Sequence, residues 1–515
     1  MTTAGASAPP TAGSHLRGVA RGGVLNLVGS AIASIVTIGL TLVVTRSTGK
    51  GTAGVVFAAT SLFLIASVIS KLGTTTSLVY FVSRVRALGR PDLVRPTIRT
   101  ALTPVMVVSC LMGLGLWLGA GTVAAHLVPS RQDAFATSLR WLAVFLPVAA
   151  LSDTLLAATR GLRAMRPTVA VERVGRPLTQ LLLSVIVVVV GLRTAPAFSA
   201  AWAAPYLPAA LAGGLWLAVL LRRREATERG RPLSDAPALT RREFWMFTGP
   251  RGLTSVVQLA LQRLDIVLIA ALLGPAPAAV YTAASRFLVV GQLGNQAIAM
   301  SAEPRLSHLL ALDDRSGARA VYRASTCWLM VVAWPLYLLA LPFASPFLAL
   351  FGHGYTQGTT VVTILAAAML VASACGMVDT MLNMAGRTTW TLFNNASALV
   401  VMVAVDLTLI PRIGINGAAI GWAAAILTRN LVPLVQLKVS LGLDPFGPGS
   451  GVVAVLATAC FGVVPLAARL ALGDGVGPLL LATAVGSLLY LGGLATWRRP
   501  LQLDLLFASL GRERP

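Results

Sequence analysis

GGVLNLVGSAIASIVTIGLTLVVT, residues 22–45, carries no charged side chain from end to end. A helix needs about 20 apolar residues to cross the hydrocarbon core of a bilayer, and this run supplies them. Within it Asn26, Ser30, Ser34, Thr37 and Thr41 recur three or four residues apart. That spacing puts them on one helix face. The run therefore reads as a spanning helix with one polar side.

Runs of the same kind continue to residue 497. Fourteen spans can be drawn, at roughly 22–45, 53–82, 98–128, 135–159, 168–191, 198–221, 249–273, 278–303, 321–350, 359–384, 389–410, 416–437, 450–472 and 476–497. The composition agrees. Of 515 residues, 56% are hydrophobic and 11% charged, against about 25% charged in a soluble domain. The mean hydropathy is +0.79. The expected fold class is an all-α polytopic membrane protein of about 14 transmembrane helices. A secreted disulfide scaffold, a nucleic-acid-binding domain and a soluble Rossmann enzyme are excluded. Cys110, Cys327, Cys375 and Cys460 all lie in apolar runs and read as small buried hydrophobes.

The net charge of +23 is explained by where the arginines sit. Loops after even-numbered spans are rich in them: Arg84, Arg86, Arg90, Arg95 and Arg99; Arg160, Arg163 and Arg166; Arg222, Arg223 and Arg224 with four more up to Arg242. Loops after odd-numbered spans hold few, such as Arg46, Arg131, Arg193 and Arg412. By the positive-inside rule both termini are expected in the cytoplasm of a multi-pass protein of the cell membrane. Residues 1–15, rich in Ser, Thr, Ala and Pro, read as a disordered cytoplasmic N-terminus without a cleavable secretory signal.

The longest hydrophilic stretch divides two similar halves. Val56–Leu64 (VFAATSLFL) matches Val280–Leu288 (VYTAASRFL), and Asp153–Leu156 (DTLL) matches Asp379–Leu382 (DTML) at nearly the same offset. Six spans in each half give a parallel repeat, a plan common among secondary transporters. The expected layout is an N-lobe at 16–221, a cytoplasmic linker at 222–248, a C-lobe at 249–440, two further spans at 441–497 and a cytoplasmic tail at 498–515.

A charge at mid-bilayer costs about 2.5–3.5 kcal/mol, so polar groups inside spans single out candidate residues. Arg251, Ser255, Gln258, Gln262 and Asp265 share one face of span 7. Thr60, Ser67, Lys71 and Thr74 mark span 2, and Tyr281, Ser285, Gln292 and Gln296 mark span 8. With the stripe of span 1 they could line a polar cavity between the lobes. Lys71, Arg263 and Arg286 are the deepest cations. They either bind an anionic group such as phosphate or pair with Asp153, Asp379 or Asp406. Phe351–Tyr355 reads as a short outer turn, Ile410–Ala419 as a tight turn entering a small-residue helix face, and Pro335, Pro342 and Pro346 as kinks in span 9.

No GxxxxGK[ST], HExxH, CxxC or GxSxG motif occurs, and the outer loops hold only Asp133 and Asp474 as acids. No cofactor, metal or nucleic acid is expected, and transport is favoured over catalysis.

The chain resembles the polysaccharide-type, Wzx-like flippases of the multidrug/oligosaccharidyl-lipid/polysaccharide exporter superfamily over about residues 16–440. The resemblance is carried by Arg21–Asn26 (RGGVLN), by Gly54–Leu64, and by Arg263-Leu264-Asp265 followed by Gly274, Tyr281–Ala284 and Arg286. It continues through Phe351-Gly352 with Tyr355 and Gly358, Met384–Arg387 with Asn394, and Ile410–Ala419. It implies two six-helix lobes that rock to expose a central cavity alternately to each side, with two extra helices. The implied cargo is an undecaprenyl-pyrophosphate-linked oligosaccharide carried by a monomer, with a cation gradient as one driving force. The implied cavity residues are Arg21, Asn26, Lys71, Arg251, Gln258, Gln262, Arg263, Asp265, Arg286 and Gln292. Relatives that flip the peptidoglycan precursor carry several cations in span 1, whereas here Arg21 stands alone at its mouth. The competing readings are a cation-coupled multidrug exporter of the same fold, with Asp265 as its ion site, and a polytopic glycosyltransferase or polymerase.

Overall fold

The computed structural model describes residues 12–228, 240–498 and 501, and among these it is helical with no strand. α1 (Ala12–Ser47) starts within the segment expected to be disordered, of which residues 1–11 lie outside the described ones. The second span is two helices, α2 (Lys50–Ser70) and α3 (Thr74–Ala87). They part where Leu72 and Gly73 take φ of 52° and 80°. α4 (Val94–Leu118), α5 (Ala120–Leu127) and α6 (Gln132–Gly161) follow. Next, a π-helix at Thr168–Gly175 runs directly into α7 (Arg176–Val189). α8 (Ala195–Ala203) and α9 (Tyr206–Glu228) complete the first half.

α10 (Arg241–Leu272) opens the second half, capped by the Thr240 hydroxyl on the Glu243 amide. Helix thus enters the expected linker 222–248 from both sides, and residues 229–239 lie outside the described ones. α11 (Pro275–Ala284) and α12 (Arg286–Ala311) meet at Ser285. α13 (Arg315–Ala340) and α14 (Ala344–Ala349) come next. Pro342 sits between them, so span 9 is broken rather than merely kinked: a proline lacks the amide to continue the ladder. α15 (Thr359–Cys375) and α16 (Val378–Met384) are divided at Gly376, with φ 72° and ψ −148°. α17 (Thr388–Ile413) and α18 (Ile415–Leu441) turn about Gly414, φ 66°. The turn at 351–355 likewise has positive φ at Gly352 and Gly354. α19 (Pro448–Ala457), a π-helical step at Thr458–Val463, α20 (Val464–Leu472) and α21 (Val476–Thr496) end the described chain. The tail at 502–515 lies outside it.

Twelve of these helical segments are long and apolar enough to cross a membrane, from Asn26–Ser47 to Val476–Thr496. They correspond to twelve of the fourteen expected spans. The exceptions are 168–191 and 278–303. Both are helical, but the first carries Glu172, Arg173 and Arg176 and the second Gln292, Asn295 and Gln296. Those polar residues lower the hydropathy of the two segments, and they reappear below as cavity walls.

In the first half α6 is the hub, touching α2, α3, α4, α8 and α9. In the second, α13 packs on α12 and α15, and α18 on α15 and α17. The last two spans attach to the outside of α13: the Tyr490 hydroxyl donates to the Val331 carbonyl at 3.1 Å, and Arg323 holds Asp444 at 2.8 Å. The halves meet chiefly along α2 against α10 and α11. Contact there is backbone to backbone. A Cβ added at Gly54 would overlap the Pro275 carbonyl, and one at Gly73 would overlap the Gly252 backbone.

Candidate functional site

Two cavities of similar size open on either side of α10. The first, about 260 Å³, is lined from α1 by Thr37 and Thr41, from α2 by Thr60 and Ser61, and from the fifth segment by Glu172, Arg173, Arg176, Gln180 and Ser184. Trp202, Tyr206, Arg263, Thr282 and Arg286 complete it. The second, about 250 Å³, is lined by Gln262, Gln292, Asn295, Gln296, Tyr337, Ser373, Asp379, Thr380, Arg429 and Asn430 among others.

The first cavity is cationic. Arg176 is anchored: its Nη1 donates to Asp153 Oδ1 at 3.2 Å and its guanidinium stacks 4.7 Å from the Tyr206 ring centroid. Glu172 is taken up by Arg160 at 3.2 Å. Arg173, Arg263 and Arg286 have no carboxylate within ion-pair reach among the described residues. Arg173 Nε and Arg263 Nε are buried without a hydrogen-bond partner. Arg286, 8% exposed, uses Nε to cap the Thr282 carbonyl at 3.1 Å, beside the break at Ser285. The hydroxyls of Thr37, Thr41 and Thr60 bond back to their own helix carbonyls and leave their lone pairs to the cavity. The helices thus hold three guanidinium groups without an ion pair among the described residues in a low-dielectric space, where an oxyanion is their natural complement.

The expected cavity residues separate. Arg263 and Arg286 join the first cavity, Gln262 and Gln292 the second. Asn26, Gln258, Lys71, Arg251 and Asp265 line neither, and the side chain of Arg21 lies outside the described residues. Lys71 takes the pairing alternative, with Nζ 2.7 Å from Asp153 Oδ2. Arg251 stacks on Phe247 of its own helix, 3.4 Å from the ring centroid. Asp265 is 3% exposed and accepts the Ile266 amide at 2.7 Å. Asp379 pairs with Arg429 at 2.6 Å, so both repeat-related aspartates neutralise a cation on a neighbouring helix. Asp406, considered as a partner for the deep cations, instead has both carboxyl oxygens buried and unpartnered.

Sequence reasoning missed Arg173, Arg176 and Arg429. The signal was present: each is an arginine inside an expected span, and the first two are three residues apart on one helix face.

The family model for "Polysaccharide biosynthesis protein" matches residues 19–310, and the MatE model matches 250–408. No curated protein matches the chain. Among solved structures, the lipid II flippase MurJ in an inward closed conformation is similar at TM-score 0.70 and 11% identity, over 92% of this chain and 98% of that one. An inward-facing multidrug resistance MATE family transporter of the MOP superfamily aligns at 0.60 and 13%, over 82% and 98%. The Vibrio cholerae MATE transporter VcmN aligns at 0.58 and 16%, over 84% and 98%. At these identities the likeness is one of fold.

Proposed function

The chain belongs to the polysaccharide biosynthesis protein family, and on that premise we propose that it is a flippase moving an undecaprenyl-pyrophosphate-linked oligosaccharide across the cytoplasmic membrane. Arg173, Arg263 and Arg286, which share one cavity and have no ion pair among the described residues, carry the proposal. Each would cost about 2.5–3.5 kcal/mol at mid-bilayer, and a diphosphate would return that cost through bidentate contacts. A substrate with two negative phosphates suits this cavity, whereas the cationic dyes moved by drug exporters would be repelled. The lobes, 16–221 and 249–440, would rock about α2, α10 and α11, and both termini would lie in the cytoplasm, as the positive-inside rule applied to the arginine-rich loops favours. The protein would act as a monomeric transporter, not an enzyme.

A second reading draws on Asp265 and Asp406, which are buried and line neither cavity. In a cation-coupled exporter of this fold they would titrate or hold the coupling ion. One experiment separates the two. The purified protein in liposomes is given a fluorescent undecaprenyl-pyrophosphate saccharide in one assay and a cationic dye in another. The expected result is lipid flipping that is lost in Arg263→Ala. Dye efflux that depends on Asp265, without lipid flipping, would overturn the flippase reading.

A further inference from the structure

The second cavity has a chemistry of its own. Gln262, Gln292, Asn295 and Gln296 line it, and among the described residues none of their side chains makes a hydrogen bond. Their side chains are open to whatever fills the space, whereas the amides of Asn394 and Gln436 bond each other reciprocally at 2.8 and 3.0 Å. Each primary amide offers two donors and an acceptor, so the free ones present a dense, uncharged hydrogen-bonding wall.

Two buried groups beside that wall lack partners as well. Tyr337, fully buried and lining the cavity, has a hydroxyl without a hydrogen-bond partner. Asp379 Oδ2 accepts from Arg429 at 2.6 and 3.0 Å, while its Oδ1 is buried and unbonded. A buried polar group left unmade costs about 1–3 kcal/mol. The free amides of the wall are satisfied when a ligand rich in hydroxyls fills the space. The guanidinium of Arg429 is already neutralised by Asp379, so no net positive charge is left there to hold an anionic sugar.

We infer that the second cavity is a glycan-reading subsite, which binds uncharged sugar residues by amide–hydroxyl hydrogen bonds while the arginine cavity holds the phosphates. The inference rests on the transport reading above and adds to it a division of the headgroup between the two sides of α10. At about 250 and 260 Å³ each cavity is smaller than the ~300–1,000 Å³ of a usual ligand site, so each takes part of a headgroup rather than all of it. Sugars bearing a carboxylate are disfavoured, because Arg429, the cation of this lining, is already paired with Asp379.

The test measures binding to the full chain in nanodiscs. Three probes are used: polyprenyl pyrophosphate without sugar, the same lipid carrying a neutral N-acetylhexosamine, and the same lipid carrying a uronic acid. Native protein should bind the neutral glycolipid at least about tenfold more tightly than the acidic one, since unpaired polar groups in a site discriminate strongly. Gln292→Leu/Gln296→Leu should lose about tenfold or more on the neutral glycolipid and keep its affinity for the sugar-free lipid, which also reports that the variant is folded. Equal loss on both lipids, or no loss on the glycolipid, would overturn the subsite and leave the flippase reading intact. Equal native affinity for neutral and acidic sugars would overturn the selectivity. If native protein binds none of the three, the transport reading itself falls, and the subsite with it.

Discussion

Gln262 and Arg263 follow one another in α10, yet Gln262 lines the amide cavity and Arg263 the arginine cavity. Successive helix residues point about 100° apart, so one helix separates two chemistries with adjacent side chains. α10 also touches α2, α3, α11 and α17, which come from both halves of the chain. A displacement of α10 therefore alters both cavities together.

The buried charges divide into those that hold the fold and those that strain it. Asp153 neutralises both Lys71 and Arg176, and its side chain is 17% exposed. Asp153→Ala leaves two buried cations unmatched and should cost about 3–5 kcal/mol. Lys71→Met leaves Asp153 with Arg176 and should cost clearly less. Thermal unfolding in detergent orders the two, and a larger loss in Lys71→Met would refute the assignment of Asp153 as the shared counter-ion.

Arg263 should behave the other way. It has no ion-pair partner among the described residues and its Nε is orphaned. Without lipid substrate, Arg263→Ala should melt no lower than the native protein, while lipid flipping falls at least tenfold, as expected where function is held against stability. A melting temperature several degrees lower would make Arg263 structural.

Gly54 fits closely against α11, where any side chain overlaps the Pro275 carbonyl. Gly54→Val should hold that end of the interface open. In a background lacking the four native cysteines, Thr60→Cys reports access to the arginine cavity. Labelling by a membrane-impermeant maleimide should rise several-fold. Unchanged labelling in a folded variant would show that the contact does not close the cavity.

Gly376 divides α15 from α16 at φ 72° and ψ −148°, and a Cβ there would strike Thr326 Oγ1. Gly376→Ala should destabilise by at least about 1–3 kcal/mol. Gly115 in α4 has open space at its Cβ position, and Gly115→Ala should be neutral or stabilise by up to about 1 kcal/mol. Paired melting curves check both, and equal shifts would count against backbone strain at Gly376.

Much of the fold was legible, because hydropathy and helical spacing are local properties. The apolar runs, the polar stripe of α10 and the match between Asp153 and Asp379 each follow from residues close together in sequence. What each face of α10 meets was not legible. Which cavity Gln262 or Arg263 enters depends on the helices packed on each side, and those lie far away in sequence. Arg173 and Arg176 escaped for a related reason. Arg173 lies in the π-helix and Arg176 opens α7; their spacing was visible, but the distant helices that close a cavity around them were not. Asp153, Asp379 and Asp406 were equal candidates as partners of the deep cations, and the choice among them is decided by tertiary contacts.

The seam along the second span is made where glycine meets main chain, at Gly54 with Pro275 and at Gly73 with Gly252. Such surfaces have no knobs to withdraw from holes. Parting them requires no rotamer to turn and no ion pair to break at those points. The resistance to parting is then mostly the wetting of a few exposed peptide groups, which is paid back when they close again. A gate of bare backbone is in that sense a latch without teeth: it closes tightly and has no preferred notch to hold it shut.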